Sequence, residues 1–223
     1  MTYQFDFSAL VPYFGLLLHG IGVTLGLAAA SSVLGLLLGT AGAALSLHGR
    51  RWTRRLIATY VELIRNTPFI VQMFFVFFGL PSMGLRLSAM TAALLAMTIN
   101  VTAYAIEIIR AGLEAVPKGQ TEAARGLGFK PLPLFCLIVL PQALAHVWPA
   151  LTGQITITML ESAVVSQIAV VDLTHVGDLI QSRNYRTFET YLVITLIYLV
   201  LALGVRSLLG LGGRRLLYAG RQR

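Results

Sequence analysis

One acidic residue, Glu161, lies inside a long apolar stretch and is the side chain best placed to do chemistry. An acid within a membrane span costs about 2.5–3.5 kcal/mol on insertion scales, so it normally faces a cavity or a partner. Helical spacing places Gln154, Thr158 and Glu161 on one face. Such a face, with Ser162 beside Glu161 as a further candidate, can line a hydrated path in which Glu161 meets a cation. The equal alternative is that a partner subunit holds Glu161.

Arg65 and Glu107 form a second charged set, each inside its own apolar run. If these runs are antiparallel neighbours, the two residues lie at similar depth, and we expect them to pair or to share a polar network. The pair either neutralises two charges within the bundle or gates a path, and both interpretations stay open. Pro68 follows Arg65 by three residues, prevents a regular helix and frees carbonyl groups that need partners.

The other polar residues give weak support for catalysis or metal binding. Asn100 and Tyr104, four residues apart, can line a path but equally suit hydrogen bonds between helices. Ser162 beside Glu161 lacks the histidine or lysine that would make it a nucleophile. The 4 histidines are scattered, without HxxxH or HExxH spacing. The sequence therefore predicts no metal site and no enzymatic activity.

The composition is that of an integral membrane protein. Of 223 residues, 57% are hydrophobic and 12% are charged, and the mean hydropathy is +0.78. Soluble domains carry about 25% charged residues, so a soluble enzyme is excluded. The net charge of +8 would suggest nucleic-acid binding in a soluble chain. In a membrane protein it is a topology signal, and no nucleic-acid partner is predicted.

Five apolar runs are long enough to cross a bilayer, which takes about 20 residues. They cover residues 16–47, 56–80, 88–109, 148–170 and 191–211. Lysine and arginine gather after the first run, after the third run and at the C-terminal end, which includes Arg221 and Arg223. The positive-inside rule then places the N-terminus outside and the C-terminus in the cytoplasm.

Residues 131–144 are the ambiguous part of this assignment. Pro133, Pro141 and Pro149 are helix breakers. We therefore expect an amphipathic piece at the cytoplasmic interface, followed by a separate span that begins near Trp148. That start places Glu161 close to the bilayer midplane.

The loop at about residues 112–131 is short, mixed in charge and rich in small side chains. Glu122, Ala123 and Ala124 start a helical turn that Gly126 and Gly128 end. Small side chains let another surface approach closely. A plain helix–turn between spans is the alternative.

The motif EAARGLG at 122–128, with Pro141 thirteen residues after Gly128, resembles the EAA loop of bacterial ATP-binding-cassette (ABC) importer permeases. The stretches 60–81, 103–124 and 140–144 are similar to the polar amino-acid branch of that family, which includes histidine, arginine, glutamine, glutamate and opine systems. The resemblance implies an all-α type I ABC importer permease fold, with five transmembrane helices and a cytoplasmic coupling helix in a single domain, residues 1–223.

The resemblance also implies the partners. Two permease subunits, identical or sister chains, pair around the path, two ATPase subunits dock from the cytoplasm, and an extracytoplasmic binding protein delivers the amino acid. The ATPase contact falls on Gly119, Glu122, Ala123, Ala124 and Gly128. Because the chain lacks a GxxxxGK[ST] phosphate loop, ATP and Mg²⁺ belong to the ATPase, and this chain binds no cofactor.

The prediction is the permease subunit of an ATP-driven importer of polar amino acids in the bacterial inner membrane. A self-sufficient channel or secondary transporter is the alternative, and the coupling-type loop disfavours it. The family usually carries a Lys-Asp-Thr/Ser-Ser-like run where this chain has Leu160-Glu161-Ser162-Ala163. Glu161 without that lysine can receive the ammonium or side-chain cation of a basic amino acid.

Overall fold

Every regular element among residues 4–217 is a helix; this is the part of the chain that the computed structural model describes, with side chains through residue 213. The predicted all-α class is therefore confirmed. Arg221 and Arg223, which contributed to the predicted topology, lie outside the described residues.

The α-helices follow in chain order: α1 (Phe14–His48), α2 (Arg51–Arg65), α3 (Phe69–Phe74), α4 (Leu80–Ser82), α5 (Ala89–Glu114), α6 (Lys118–Gly126), α7 (Pro131–Leu134), α8 (Leu140–Glu161), α9 (Leu173–Asn184) and α10 (Thr187–Leu217). Other helical types join them. These are 3₁₀ helices at Ser8–Tyr13 and Ser162–Ile168 and π-helical turns at Phe75–Gly79 and Phe135–Val139.

Four helical stretches of the described chain are long and apolar enough to cross a membrane: Ser8–His48, Ala89–Glu114, Pro131–Ile168 and Thr187–Gly213. A fifth crossing arises if Arg51–Arg65 and Phe69–Ser82, which meet at an angle of 108°, count as one broken span. The five predicted crossings therefore correspond to four continuous helices and one bent pair.

The bend lies where Pro68 predicts a break. Helix α2 ends at Arg65 and α3 begins at Phe69, with Pro68 in an extended conformation between them. Carbonyl groups of the last turn find local donors: Asn66 Nδ2 donates to the Glu62 oxygen and Thr67 Oγ1 to the Leu63 oxygen. These bonds replace those that the helix loses.

The predicted boundary between an interfacial piece at 131–144 and a span from Trp148 is wrong. Helix runs without a break from Pro131 to Ile168. Pro131 and Pro133 lie in the first turn, where backbone N–H groups have no helical acceptor. The wide π-helical turn Phe135–Val139 precedes Pro141 and accommodates its ring. Because the helix starts 17 residues earlier than predicted, its start does not fix the depth of Glu161.

The chain packs as two compact units, of which the first comprises residues up to 32, 68–98 and 156–205. One apolar cluster of this unit surrounds Met73, Ala93 and Met97. A second cluster joins Leu17, Leu173 and Ile194. Asp172, fully buried, caps α9 by accepting the His175 backbone N–H at 2.9 Å.

The second unit comprises residues 33–67, 99–155 and from 206 onward. Gly35, Gly39 and Gly42 of α1 pack directly on residues 101–106 of α5, so a Cβ at Gly39 would lie 2.5 Å from the Ala105 Cβ. Trp148 Nε1 donates to the Leu209 carbonyl at 2.8 Å and ties α8 to α10. The close approach of α1 and α5 fixes the helix that carries Glu107. That these units form a single membrane domain stays a prediction.

Candidate functional site

Arg65 and Glu107 meet as an ion pair between the last residue of α2 and a residue about two turns before the end of α5. Each side chain is 39% exposed, so the pair lies at the edge of a space rather than in the core. The Arg65 Cζ also lies 5.3 Å from the centroid of the Tyr104 ring, within reach of a cation–π contact. The sequence placed these residues at similar depth, and the structure brings them together.

Tyr60 is a further contact between α2 and α5, which the sequence did not single out. Its hydroxyl donates to the Ile99 carbonyl at 2.6 Å. This bond and the Arg65–Glu107 pair lie more than one helical turn apart along α2. Together they fix α2 against α5 at two points.

A cavity of about 800 Å³ lies beside the Arg65–Glu107 pair. Helix α2 contributes Arg51, Arg54, Arg55 and Glu62 to its wall, and α5 contributes Tyr104 and Arg110. Of the two weaker path candidates, Tyr104 is half-buried and lines this cavity, whereas Asn100 is buried and does not.

Glu161 lies at a change of helix type, because α8 ends there and the 3₁₀ segment Ser162–Ile168 begins. Its side chain is partly exposed, and no residue in the described part of the chain pairs with it or donates a hydrogen bond to it. Ser162 beside it is fully buried and donates to the Met159 carbonyl at 2.7 Å. The serine hydroxyl is therefore already bound within the helix.

The predicted polar face of α8 is largely covered by the chain itself. Thr158 is 1% exposed and Gln154 is 8% exposed. The exposed positions in the same turns are apolar or glycine: Gly153, Ile157 and Leu160. Glu161 is thus the accessible acid at the edge of an apolar face, and Gln154 and Thr158 point into the protein.

The loop after α5 contains the helix α6, and its predicted contact residues divide into two groups. Gly119, Glu122, Ala123 and Gly128 are exposed. Ala124 is 3% exposed and packs in the core cluster with Leu134 and Val139. Helix α6 is therefore held to its own chain through Ala124 and presents the other four outward.

Gly128 ends α6 in the way that its residue type predicts. Its φ of +81° is in the left-handed region, which glycine adopts without strain. Phe129 N donates to the Ala124 oxygen at 3.1 Å and Gly128 N to the Arg125 oxygen at 3.0 Å, the pattern of a Schellman motif. This turn leaves the Leu127 side chain 79% exposed. Leu127 was not among the contact residues predicted from the sequence. The feature that could have identified it is its position between Gly126 and Gly128, the two glycines that end the helix.

A buried polar network follows the Glu161 segment. Ala169, at a φ of 60°, ends the 3₁₀ helix, and Asp172 comes three residues later. The Asp172 carboxylate accepts from Tyr198 Oη at 3.2 Å, and Leu173 N donates to Thr24 Oγ1 at 3.2 Å. Burial raises the pKa of Asp172, and its hydrogen bonds oppose that shift. The chain after Glu161 is thus anchored at a fixed point.

Metal chemistry finds no support in the part of the chain that the structure describes. No group of three or more His, Cys, Asp or Glu side chains lies close enough there to hold an ion.

Known proteins similar to this chain are membrane subunits of transporters. The arginine transport system permease protein ArtQ of Bacillus subtilis is 34% identical over 89% of this chain and 91% of its own length. The glutamine transport system permease protein GlnP of Escherichia coli is 33% identical over 90% of this chain and 92% of its own length. A crystal structure of an amino acid ABC transporter with histidines is 39% identical and superposes with a TM-score of 0.86. That match covers 96% of this chain and 100% of the other.

The family model described as "binding-protein-dependent transport system inner membrane component" matches residues 22–218. This range includes α6, the Arg65–Glu107 pair and Glu161. The expected permease fold is confirmed by these likenesses. The chain belongs to the family of inner membrane components of binding-protein-dependent transport systems and is a transport subunit rather than an enzyme.

Proposed function

We propose that this chain is the translocation subunit of an ATP-driven importer of polar amino acids. The observation that carries the proposal is the likeness, over nearly its whole length, to an amino acid ABC transporter crystallised with histidines. Relatives named for arginine and for glutamine support the substrate class. The substrate is a free amino acid delivered by an extracytoplasmic binding protein.

Helix α6 is the docking element for the ATPase in this proposal. Ala124 anchors α6 in the core, while Gly119, Glu122 and Ala123 face outward and Gly128 ends the helix. Leu127 exposes an apolar side chain at the end of α6, where burial against a partner is favourable by about 2 kcal/mol. Closure of two ATPase subunits then moves the spans through a short rigid helix. ATP and Mg²⁺ bind to those subunits.

The translocation path forms when a second permease subunit, identical or a sister chain, joins this one. Glu161 supplies the path with an accessible carboxylate. We propose that Glu161 receives the ammonium group or the side-chain cation of the substrate. The N-terminus lies outside and the C-terminus in the cytoplasm, because basic residues gather at the α1–α2 connection, around α6 and at the chain's end.

The test is purification of the chain in mild detergent from its native membrane, followed by assay of ATP hydrolysis. An ATPase subunit should accompany the wild-type chain and be lost from Glu122→Lys and from Leu127→Ser. Arg183→Glu, an exposed charge reversal on α9, is the control and should retain the ATPase. Isolation of the chain alone, with downhill solute movement in liposomes, would contradict the proposal and favour a channel or secondary carrier.

A further inference from the structure

Three arginines on one face of α2 line the cavity beside the Arg65–Glu107 pair. Arg54 and Arg55 follow Arg51 by three and four residues, which places them on the same side of the helix as Arg51. The whole cavity wall carries five guanidinium groups and two carboxylates, a net charge of +3. A cavity of about 800 Å³ with this charge is suited to an anion.

The positive charges of this wall are unevenly compensated. Arg65 pairs with Glu107, and Arg110 pairs with Glu114 at 2.8 Å. Arg51, Arg54 and Arg55 make no ion pair with any residue that the structure describes. Like charges at this helical spacing repel one another. An anion in the cavity would relieve that repulsion and satisfy guanidinium donors.

The cavity lies at the end of two long helices. Its wall includes Ser46, two residues before the end of α1, and Arg110, four residues before the end of α5. The opposite side of α2 exposes Trp52 (77%) and Leu56 (68%). Exposed tryptophan beside basic residues is typical of the level at which lipid headgroups meet the hydrocarbon.

We propose that this cavity binds the phosphate of an anionic phospholipid headgroup. Arginine forks match phosphate oxygens with two hydrogen bonds each, and basic clusters on amphipathic helices are typical sites for anionic lipids of the cytoplasmic leaflet. Apolar wall residues Ile57, Ala58 and Val61 suit the glycerol and first methylene groups of a lipid. The bound lipid holds the start of α2 at the membrane surface and so keeps Arg65 against Glu107. This inference uses the cytoplasmic position proposed for the α1–α2 connection.

The first test needs no variant. The complete transporter is incorporated into nanodiscs that contain equal amounts of phosphatidylcholine and phosphatidylglycerol, and retained lipid is identified by native mass spectrometry. We expect phosphatidylglycerol to be retained at least about twenty-fivefold over phosphatidylcholine, the combined effect of two arginines near a membrane surface. Equal retention of the two lipids would overturn the proposal.

The second test locates the binding. Arg54→Gln should lower phosphatidylglycerol retention about fivefold, the effect of one arginine near a membrane surface, and Arg54→Gln with Arg55→Gln about twenty-fivefold. Arg50→Gln is the matched control, because Arg50 is exposed and adjacent in sequence but does not line the cavity. An equal loss in Arg50→Gln would overturn the cavity as the site.

A third arm separates the lipid from a soluble anion. Inorganic phosphate is added to transporter in discs of each lipid composition. Retained phosphatidylglycerol that phosphate does not displace supports the lipid. Displacement by millimolar phosphate, or phosphate binding in discs of phosphatidylcholine alone, would overturn the lipid as occupant. These readouts measure lipid rather than transport, so their failure leaves the proposed import function untouched.

Discussion

Glu107 and Glu161 are both carboxylates in helices that are apolar enough to cross a membrane, but only Glu107 has a basic side chain beside it. Around Glu107, the neighbouring α2 supplies Arg65, and Tyr104 lies against the guanidinium. Around Glu161, the described chain supplies no cation, and the exposed neighbours Ile157 and Leu160 are apolar. We interpret the charge that is balanced within the chain as part of the scaffold. An acid left unpaired in such a helix normally faces a water-filled cavity or a partner.

The largest effect, a loss of uptake, is expected from placing an arginine beside Glu161, as Arg65 lies beside Glu107. Ile157 is 48% exposed and precedes Glu161 by four residues, so Ile157→Arg places a guanidinium within reach of the carboxylate. If Glu161 serves the substrate, losing a charge-assisted contact of about 1.5 kcal/mol lowers uptake about tenfold. Uptake of labelled amino acid into proteoliposomes measures this.

Ile157→Gln is the matched control for that change. It has a polar side chain of similar reach without the charge, so uptake should stay close to the wild-type rate. Equal inhibition by glutamine and arginine would assign the effect to the altered helix face rather than to the neutralised acid.

A smaller effect is expected from removing the basic partner of Glu107, so that Glu107, like Glu161, has no cation beside it. Arg65→Gln leaves the Glu107 carboxylate without its cation and should lower the free energy of unfolding by about 1 kcal/mol, since both side chains are 39% exposed. Thermal unfolding of the detergent-solubilised chain measures the change. A double-mutant cycle with Glu107→Gln isolates the pair, and a coupling energy near zero would contradict a scaffold role.

The smallest expected effect is that of Arg65→Lys. Lysine keeps the charge on Glu107 balanced but loses the planar fork of arginine and its stacking on Tyr104. We expect a loss of about 0.5 kcal/mol in the same unfolding measurement. A loss as large as that of Arg65→Gln would mean that geometry, rather than charge balance, is what the pair contributes.

The sequence predicted the parts of this comparison that depend on local spacing. The broken helix at Pro68 follows from the fixed geometry of proline, and the Schellman end of α6 from the glycine at position 128. The proximity of Arg65 and Glu107 follows from the antiparallel order of two apolar runs.

The continuity of the helix from Pro131 could not be predicted in the same way. Proline was interpreted as a helix breaker, but a π-helical turn absorbs Pro141. The same arrangement precedes Pro81, where the turn Phe75–Gly79 is also followed by Leu-Pro. The rule that proline breaks a helix does not take such a wide turn into account.

The burial of Gln154 and Thr158 could likewise not be predicted from the helical spacing of the sequence. Helical spacing groups residues on a face but does not say which side the core covers. In the structure the core covers Gln154 and Thr158 and leaves Ile157 and Leu160 exposed. Glu161 lies at the border, so its accessibility depends on packing in three dimensions.

The most direct test of the account compares substrate preference in the wild-type transporter and in Glu161→Gln. ATP hydrolysis by the reconstituted transporter with its binding protein is measured with arginine, histidine and glutamine. If Glu161 meets the substrate cation, Glu161→Gln should lower the response to the cationic amino acid relative to the neutral one about tenfold, while the ATPase stays bound. An unchanged rate and an unchanged order of preference would show that Glu161 does not contact substrate and would contradict the account.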